Sequence, residues 1–520
     1  MELQSQKKLH FHIKSNLDMR VQEEMYGHRL NTDQEGYMIL LEALTVINKV
    51  PLGTKMPDPT SRSHERIHYT LPYKQRVRYL LFKDQHLAKI NNDPLLAQDN
   101  KWEAWKRKTK NHFTSLSSLE DHFHYLDEKF DDLDELLQAV RLVQSMELDV
   151  MNKRRWTSKF LCITGPDMIL PDFRETKGNW TADRRFFGRG GELVYLMLNR
   201  SDQRNEVQKL IQERLLSCND PYNKMVNSLS PTDSYGSSTT EIGYLPYIHH
   251  KSYNRLARSW IKILEQKLLT GSHLFDPLFR ITGLNLILYL AERSKEITDR
   301  SRVEPFLIDL TDGNNYQLRQ AARNNLNLHR DLQNDAVKSF ITNKIESDKD
   351  WETACYMEDG NKAAEVIYKL FDCNVGNSRS YDGISHDEVL KSFINKAQRR
   401  SHNNANRYIL SLSKQIGICT SRGSLGTWFA MDDLMIIALV MAEVVDTVEL
   451  GEFLAKLYET YNLVIGPTEA RKAYPKIPIS NKCFEENLSA MEKRMTKLAL
   501  TKRLSDDCAF VINPFRSQNA

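Results

Sequence analysis

Apolar residues recur at steps of three and four along most of this chain, and this period constrains the fold more than any other feature. Residues 33–50 show it clearly, with an apolar stripe made of Tyr37, Leu40, Leu41, Leu44 and Ile47. Such a stripe is the buried face of an amphipathic helix. The same period predicts a helix over residues 74–90, a long helix over residues 315–345 and several helices after residue 386. We therefore predict a mainly α protein.

A few short strands interrupt this pattern. The run "EPFLIDLTDG" (304–313) predicts a buried strand closed by an Asp-Gly turn. Residues 159–170 have two apolar runs split by Gly165 and Pro166, which predicts a hairpin. A second hairpin is predicted where the runs "IGICT" and "GTWFAM" flank the basic segment "SRGSL". The fold class expected is therefore α+β, mainly helical with a few short strands.

The chain has 520 residues, more than one hydrophobic core usually supports, so we expect several domains. Residues 226–247 are rich in Ser, Thr, Gly and Pro without an apolar period, which favours a linker or mobile loop. The expected division is a helical domain with a hairpin at 1–225, the linker at 226–247, a central helical domain at 248–385 and a C-terminal domain at 386–520.

Composition excludes several classes. Apolar residues make up 41% and charged residues 27%, as in soluble globular proteins. The longest apolar runs fall short of a membrane span, and the N-terminus lacks the apolar core of a signal peptide, so we expect a cytoplasmic protein without membrane contact. Seven scattered cysteines favour neither a disulfide framework nor a zinc site. We expect neither a cofactor nor a bound metal.

The stretch "ADRRFFGRGGELVYLMLNRS" (182–201) joins arginines and glycines to an apolar run. It lacks the lysine and hydroxyl of a phosphate-binding P-loop and does not follow a strand as a dinucleotide fingerprint must. Two readings stay open: an anion held at a helix N-terminus, or a structural helix start near Gly191. The anion-binding candidates are Arg184, Arg185, Arg189, Gly190 and Gly191.

A second basic group lies on the predicted helix 315–345. Arg319, Arg323 and Arg330 are spaced so that they fall within a stripe roughly 40° wide, at 100° per residue. The stripe runs beside the apolar residues Leu318, Ala322 and Leu326. It predicts either a binding face for nucleic acid or a surface of salt bridges to another domain.

The region 387–444 has the order helix, polar Asn-rich turn, short helix, hairpin with a basic tip and buried helix. This order is typical of a winged-helix domain, whose wing and helix contact nucleic acid. Winged helices also bind proteins, and both readings stay open. Phosphate contacts are expected from Lys396, Arg399, Arg400, Arg407, Lys414 and Arg422, and adenine contacts from Asn403, Asn404 and Asn406.

A catalytic reading rests on "PDFRETK" (171–177), which holds Asp172, Glu175 and Lys177. In metal-dependent nucleases the carboxylates of such a Pro-Asp and Glu-x-Lys hold magnesium between them. In those enzymes the Pro-Asp and the Glu-x-Lys stand well apart in sequence, whereas here they share one short segment. A nuclease is therefore the function that this sequence favours least.

Three segments, "ADRRFFGRGGELVYLMLNRS", "PFLIDLTDGNNYQLRQAARNN" and "ELGEFLAKLYETYNLVIGPTEA", resemble mostly helical accessory proteins of bacterial anti-phage defence clusters. The resemblance implies a non-catalytic cytoplasmic subunit that acts beside helicase, nuclease or methyltransferase subunits near DNA. We therefore expect an accessory subunit that engages nucleic acid, most simply DNA, through its basic clusters. The alternative is a scaffold whose basic clusters contact only other subunits of the complex.

Overall fold

The computed structural model describes residues 17–28, 36–56, 67–110, 123–148, 159–171, 173–176, 179–182, 190–232, 237–243, 245–371, 381–401, 407–474, 479–503 and 509–516. It is mostly helical, with 63% helix and 8% strand, which confirms the mainly α class. The described chain divides into two compact units. The domain boundaries expected from the sequence remain predictions.

The first unit comprises residues 1–36, 243–256 and 280–514. Its helices are α1 (Leu17–Tyr26), α12 (Tyr316–Glu346), α13 (Lys349–Tyr356), α14 (Gly360–Phe371), α15 (His386–Ser401), α16 (Arg407–Gln415), α17 (Asp433–Glu443), α18 (Leu450–Tyr461), α19 (Pro467–Ala473) and α20 (Asn481–Lys497). Its strands are β5 (Phe306–Leu307), β6 (Cys419–Arg422), β7 (Gly426–Phe429), β8 (Val448–Glu449), β9 (Leu463–Val464), β10 (Thr501–Arg503) and β11 (Ala509–Val511).

The second unit comprises residues 37–242, 257–279 and 515–520. Its elements are α2 (Gly36–Lys49), β1 (His68–Pro72), α3 (Gln75–Phe82), α4 (Leu87–Asn91), α5 (Gln98–Lys110), α6 (Leu133–Gln144), β2 (Phe173–Thr176), β3 (Asn179–Ala182), α7 (Gly190–Arg200), α8 (Arg204–Arg214), α9 (Pro221–Ser228) and β4 (Ser237–Glu241). Helices α10 (Lys251–Leu264) and α11 (Phe275–Ile297) have residues assigned to both units.

A small strand system forms the centre of the first unit. β5 pairs in parallel with β9, and Asp309, just beyond β5, forms a parallel bridge with Ala430 at the end of β7. β7 pairs antiparallel with β6, with Cys419 opposite Phe429 and Arg422 opposite Gly426. The predicted strand and the predicted hairpin at 416–431 are therefore confirmed, and they lie side by side.

A hydrophobic core packs beneath these strands. It joins residues of β5, α12, β7, β9, α19 and α20, namely Leu307, Leu318, Ala322, Trp428, Val464, Ala470, Ala473 and Phe484. The apolar partners expected on α12 are buried, because Leu318, Ala322 and Leu326 are at most 3% exposed. This core fixes which face of α12 points away from the strands.

Two of the sequence expectations fail in the second unit. Residues 159–170 do not form a hairpin, since Leu161 makes only an isolated bridge to Glu147 and residues Pro166–Met168 form a 3-10 turn. The helix expected over 74–90 is broken into α3 and α4. Asp84 accounts for the break, because its carboxylate accepts hydrogen bonds from the backbone of His86 and Leu87 and from the Trp105 indole.

One described helical segment, Gly271–Ile297, is long and apolar enough to cross a membrane by length and composition alone. The share of its apolar window that is buried inside the protein is 94%. Core helices of soluble proteins have the same properties, so this segment is weak evidence for a membrane span.

A buried histidine gives the first unit a dependence on pH. The His329 ring stacks on Phe306 with centroids 4.0 Å apart and meets Phe429 edge-on. Burial lowers the pKa of His329 from 6.5 to about 4, while a hydrogen bond to the backbone of Pro305 acts in the opposite direction. The native state therefore binds this proton less tightly than the unfolded state, and the ring is neutral at pH 7.

We predict that the free energy of unfolding falls as the pH is lowered from 6.5 to about 4, because protonation of His329 favours the unfolded chain by up to about 3 kcal/mol. Other groups titrate in this window, so the test is a comparison with His329→Phe, which keeps a ring but cannot titrate. Denaturant unfolding of both proteins at several pH values should show their stability difference shifting in favour of the variant as the pH falls. A difference that is constant over this window would contradict the assignment.

Candidate nucleic-acid interface

The turn that follows β5 brings together three of the residues predicted to bind nucleic acid, Arg319, Arg323 and Arg422. The amide of Asn314 donates to the carbonyl of Thr311 over 3.1 Å, closing a turn whose central residues, Asp312 and Gly313, both have positive φ. Gly313 has φ +78°, and a Cβ there would lie 2.9 Å from the Trp428 ring. Only glycine fits such a position, which explains the Asp-Gly pair that the sequence showed.

The β6–β7 hairpin is tied to this turn. The Trp428 indole donates to the buried carboxylate of Asp309 over 3.0 Å, and the amide of Asp309 donates to the carbonyl of Phe429 over 3.1 Å. Asp309 also accepts from the amide and the hydroxyl of Thr311. These bonds hold the hairpin beside the start of α12.

Arg422, at the end of β6, reaches across to this turn. Its guanidinium donates to the Asp312 carbonyl over 2.7 Å and to the Asp312 carboxylate over 2.9 Å. Both side chains are about half exposed, at 48% for Arg422 and 58% for Asp312. An ion pair this exposed contributes roughly 0–1 kcal/mol to stability, so it is weakly held.

Two arginines of α12 lie beside the same hairpin. Arg319 is half-buried and donates to the carbonyl of Gly313. The guanidinium of Arg323 lies over Gly426 of β7, about where a side chain at that glycine would be, with Nη1 3.3 Å from the position of an added Cβ. Arg323 is exposed and forms no hydrogen bond or ion pair within the described part of the chain. We call Arg319, Arg323 and Arg422, with the neighbouring Tyr316, the tip cluster.

Tyr316 is the first residue of α12 and is 63% exposed. The Arg319 guanidinium lies over its ring, 5.4 Å from the centroid. The helix start is well ordered, because the side chain of Asn315 accepts from the amide of Leu318 and donates to Glu486. The tip cluster thus combines an exposed aromatic ring, over which Arg319 lies, with two further guanidinium groups at the hairpin.

The other basic candidates of the first unit differ in their availability. Arg399 at the end of α15 and Arg407 and Lys414 on α16 are exposed and have no ion pair among the described residues. Lys396, Arg400 and Arg330 are half-buried and have interaction partners. Helix α15 is fixed on α12 by a hydrogen bond from Gln398 to the carbonyl of Asn334.

Lys414 is close to the hairpin. Burial raises the pKa of the Cys419 thiol on β6 to about 12, and the ammonium group of Lys414 acts in the opposite direction. Arg407 and Lys414 are seven residues apart, so they share one face of α16 to within about 20°. Asn403, Asn404 and Asn406 lie outside the described residues.

The glycine-rich stretch is described only from Gly190 onward, where α7 begins; Arg184, Arg185 and Arg189 lie outside the described residues. The amide of Gly191 donates to the carboxylate of Glu42 over 2.8 Å, in a buried environment. The amide of Gly191 at the start of α7 is therefore already hydrogen-bonded to a carboxylate of the protein itself. Electrostatics explain the contact, because a helix N-terminus favours negative charge.

Close packing accounts for Gly191. A Cβ at this position would lie 2.4 Å from the Cβ of Glu42 and 2.5 Å from the carbonyl oxygen of Ile39. The backbone of Gly191 does not have positive φ. The glycine is therefore needed because α2 and α7 approach each other closely. Anion binding by the neighbouring arginines remains a prediction.

The nuclease candidate is only partly described. Glu175 lies on β2 opposite Trp180, while Asp172 and Lys177 lie outside the described residues. Among the described residues no three His, Cys, Asp or Glu side chains form a group that could hold a metal ion. The assignment of Asp172, Glu175 and Lys177 remains a prediction.

Comparisons with models of protein families, with curated proteins and with solved structures find no match to this chain. The functional argument therefore depends on the geometry of the tip cluster.

Sequence reasoning missed two members of the site, Tyr316 and Asp312. A signal for Tyr316 was present, because it stands three residues before Arg319 and four before Gln320, and such residues share a helix face. Asp312 was read only as a turn residue, and its pairing with Arg422 depends on how the hairpin folds back.

We predict that Gly191→Ala lowers the free energy of unfolding by about 1–3 kcal/mol, because the methyl group would collide with the backbone of α2. The matched control is Gly451→Ala in α18, where an added Cβ meets nothing within 4 Å. There the same change should be neutral or slightly stabilising, since alanine favours helix more than glycine does. Thermal unfolding of both variants tests this. Equal melting temperatures would refute the close-packing explanation.

Proposed function

We propose that this protein binds nucleic acid, with the phosphate groups held by the arginines of the tip cluster. The observation that carries the proposal is Arg323, an exposed guanidinium that lies over a hairpin glycine and has no ion pair or hydrogen bond within the described part of the chain. Arginine is well suited to this task, because its planar fork donates two parallel hydrogen bonds to a phosphate.

Arg422 strengthens this proposal. Its present partner, Asp312, is exposed, and the pair is weak enough for a phosphate to replace the carboxylate. The adjoining segment of the hairpin consists of Gly423, Ser424 and Leu425, all exposed, so a ligand backbone has access to it. Asp312 is then an anion that competes with the ligand for Arg422.

The exposed cations of α15 and α16 extend this surface within our proposal. Arg399, Arg407 and Lys414 add three positive charges without ion-pair partners among the described residues. Lys414 lies near β6 and so links these cations to the hairpin. The affinity of such a surface is electrostatic and falls with salt, since binding releases condensed counterions from the nucleic acid.

We further propose that α15, α16 and the β6–β7 hairpin act in the manner of a winged helix, with the hairpin as a basic wing. The order of these elements along the chain supports the proposal. Two features distinguish this hairpin from a free wing: it is joined to β5 through Asp309, and it packs on α12. The proposed wing is therefore a rigid one.

In this proposal the chain is a non-catalytic accessory subunit of a cytoplasmic bacterial complex, where it engages DNA beside other subunits. The support for this role is the resemblance of three segments to accessory proteins of anti-phage defence clusters. If the following test finds no binding to nucleic acid, the result favours the alternative, a scaffold that contacts only other subunits.

We predict that the double variant Arg323→Glu/Arg422→Glu loses at least about tenfold in affinity for nucleic acid, and that the slope of log affinity against log salt decreases by about 1–2. The measurement is fluorescence anisotropy of labelled oligonucleotides titrated with the full chain at several salt concentrations. The matched control is Arg300→Glu/Lys369→Glu, which changes the net charge equally. Both control residues are exposed and paired with acids, Asp335 and Asp350.

A third variant, Asp312→Asn, sharpens the experiment. It removes the competing carboxylate, and asparagine tolerates the positive φ of this position. Its affinity should exceed that of the unmodified chain. Equal losses in the two double variants would show that binding is diffuse, and no binding by the unmodified chain at low salt would overturn the proposal.

A further inference from the structure

The exposed aromatic ring of the tip cluster serves no purpose in holding phosphates. Tyr316 is 63% exposed although it belongs to an ordered helix start. A single exposed aromatic residue is common on protein surfaces and needs no explanation. What sets Tyr316 apart is its position, because the Arg319 guanidinium lies over its ring and Arg323 follows about two turns further along the same helix.

The ring is held in place. Arg319 lies over the Tyr316 ring and is itself fixed by donating to the carbonyl of Gly313. On the next turn of the helix, the Gln320 amide donates to the tyrosine hydroxyl over 3.4 Å. With these two contacts in place, 63% of the residue is still exposed. Part of an aromatic surface is thus open to solvent.

Such a surface matches the face of a nucleobase. Aromatic side chains in basic grooves stack unpaired bases, and this contact tolerates every base because every base has a π face. A base pair inside a duplex does not offer its face, since the neighbouring pairs cover it. An exposed ring of this kind, on the same surface as basic side chains, is therefore suited to an unpaired base rather than to a base pair within a duplex.

We propose that Tyr316 stacks on an unpaired base of a single-stranded nucleic acid whose phosphates are bound by Arg323 and Arg422. This inference rests on the proposed function, and it specifies the class of nucleic acid. The chain then contacts single-stranded regions, such as the ends, gaps or displaced strands that processing of a duplex creates. The base is read by its face alone, so sequence preference is weak.

The test compares three ligands of equal length: an oligothymidylate, a phosphodiester chain of abasic sites, and a DNA duplex. The abasic chain keeps the phosphates but lacks the bases. Anisotropy titrations of the full chain should show the oligothymidylate binding at least about fivefold more tightly than the abasic chain, as expected for one stacked base. The duplex should bind more weakly than the oligothymidylate at the same salt concentration.

Variants of Tyr316 locate the effect. Tyr316→Ala should reduce the affinity for the oligothymidylate to that for the abasic chain and leave abasic binding unchanged. Tyr316→Phe should behave as the unmodified chain, because the ring and not the hydroxyl makes the contact. Tyr356→Ala is the matched control, since Tyr356 is 92% exposed and belongs to α13, outside the tip cluster.

The experiment distinguishes failure of the stacking inference from failure of the proposed function. If the unmodified chain binds the duplex as tightly as the single strand, or if Tyr316→Ala weakens binding to the abasic chain as much as to the oligothymidylate, the stacking inference is overturned while phosphate binding stands. If none of the three ligands binds at low salt, the proposed function itself is wrong.

Discussion

The hydrogen bond between the Trp428 indole and the Asp309 carboxylate determines where the candidate site lies. Trp428 is fully buried and Asp309 is 1% exposed, so the bond joins two groups that have left water. A buried carboxylate is costly unless its oxygens are hydrogen-bonded, and here Thr311 supplies two further donors. Loss of this bond would leave the buried Asp309 carboxylate short of a donor and would remove one of the contacts that hold the hairpin beside the turn before α12.

Two asparagines stabilise the strand that carries Asp309. Asn325 of α12 accepts from the amide of Leu307 and donates to the carbonyl of Pro305. Asn487 of α20 accepts from the amide of Leu310 and donates to the carbonyls of Ile308 and Ile465. β5 has only two residues in regular pairing, so these side chains complete its hydrogen bonds and fix α12 and α20 around it. The turn, Arg319 and Arg323 are positioned as a consequence.

Much of this local structure could be predicted from the sequence. The long helix at 315–345, the Asp-Gly turn and the hairpin are all present, and an aspartate, Asp432, caps α17 by accepting from the amide of Met435. These features depend on helical period, glycine conformation and capping, which are local properties. The break at Asp84 was missed because it depends on Trp105, which lies 21 residues further along the chain.

The composition of the site could be predicted only in part. The period of α12 places Arg319 and Arg323 on one face, but it does not reveal that the β6–β7 hairpin lies beside them. Likewise, the glycine pair at 190–191 indicated a helix start, but only the packing of α2 against α7 shows that Glu42 occupies the Gly191 amide. Both features depend on contacts between segments that are distant in sequence. The spacing of residues in a single sequence does not reveal such contacts.

Hydrogen–deuterium exchange of the full chain, with and without a saturating single-stranded oligonucleotide, tests the central claim most directly. If nucleic acid binds at the tip cluster, exchange should slow at residues 311–323 and 420–427, and these changes should disappear in Arg323→Glu/Arg422→Glu. Slower exchange confined to other regions, such as residues 183–191, with none at the hairpin or the start of α12, would contradict the account.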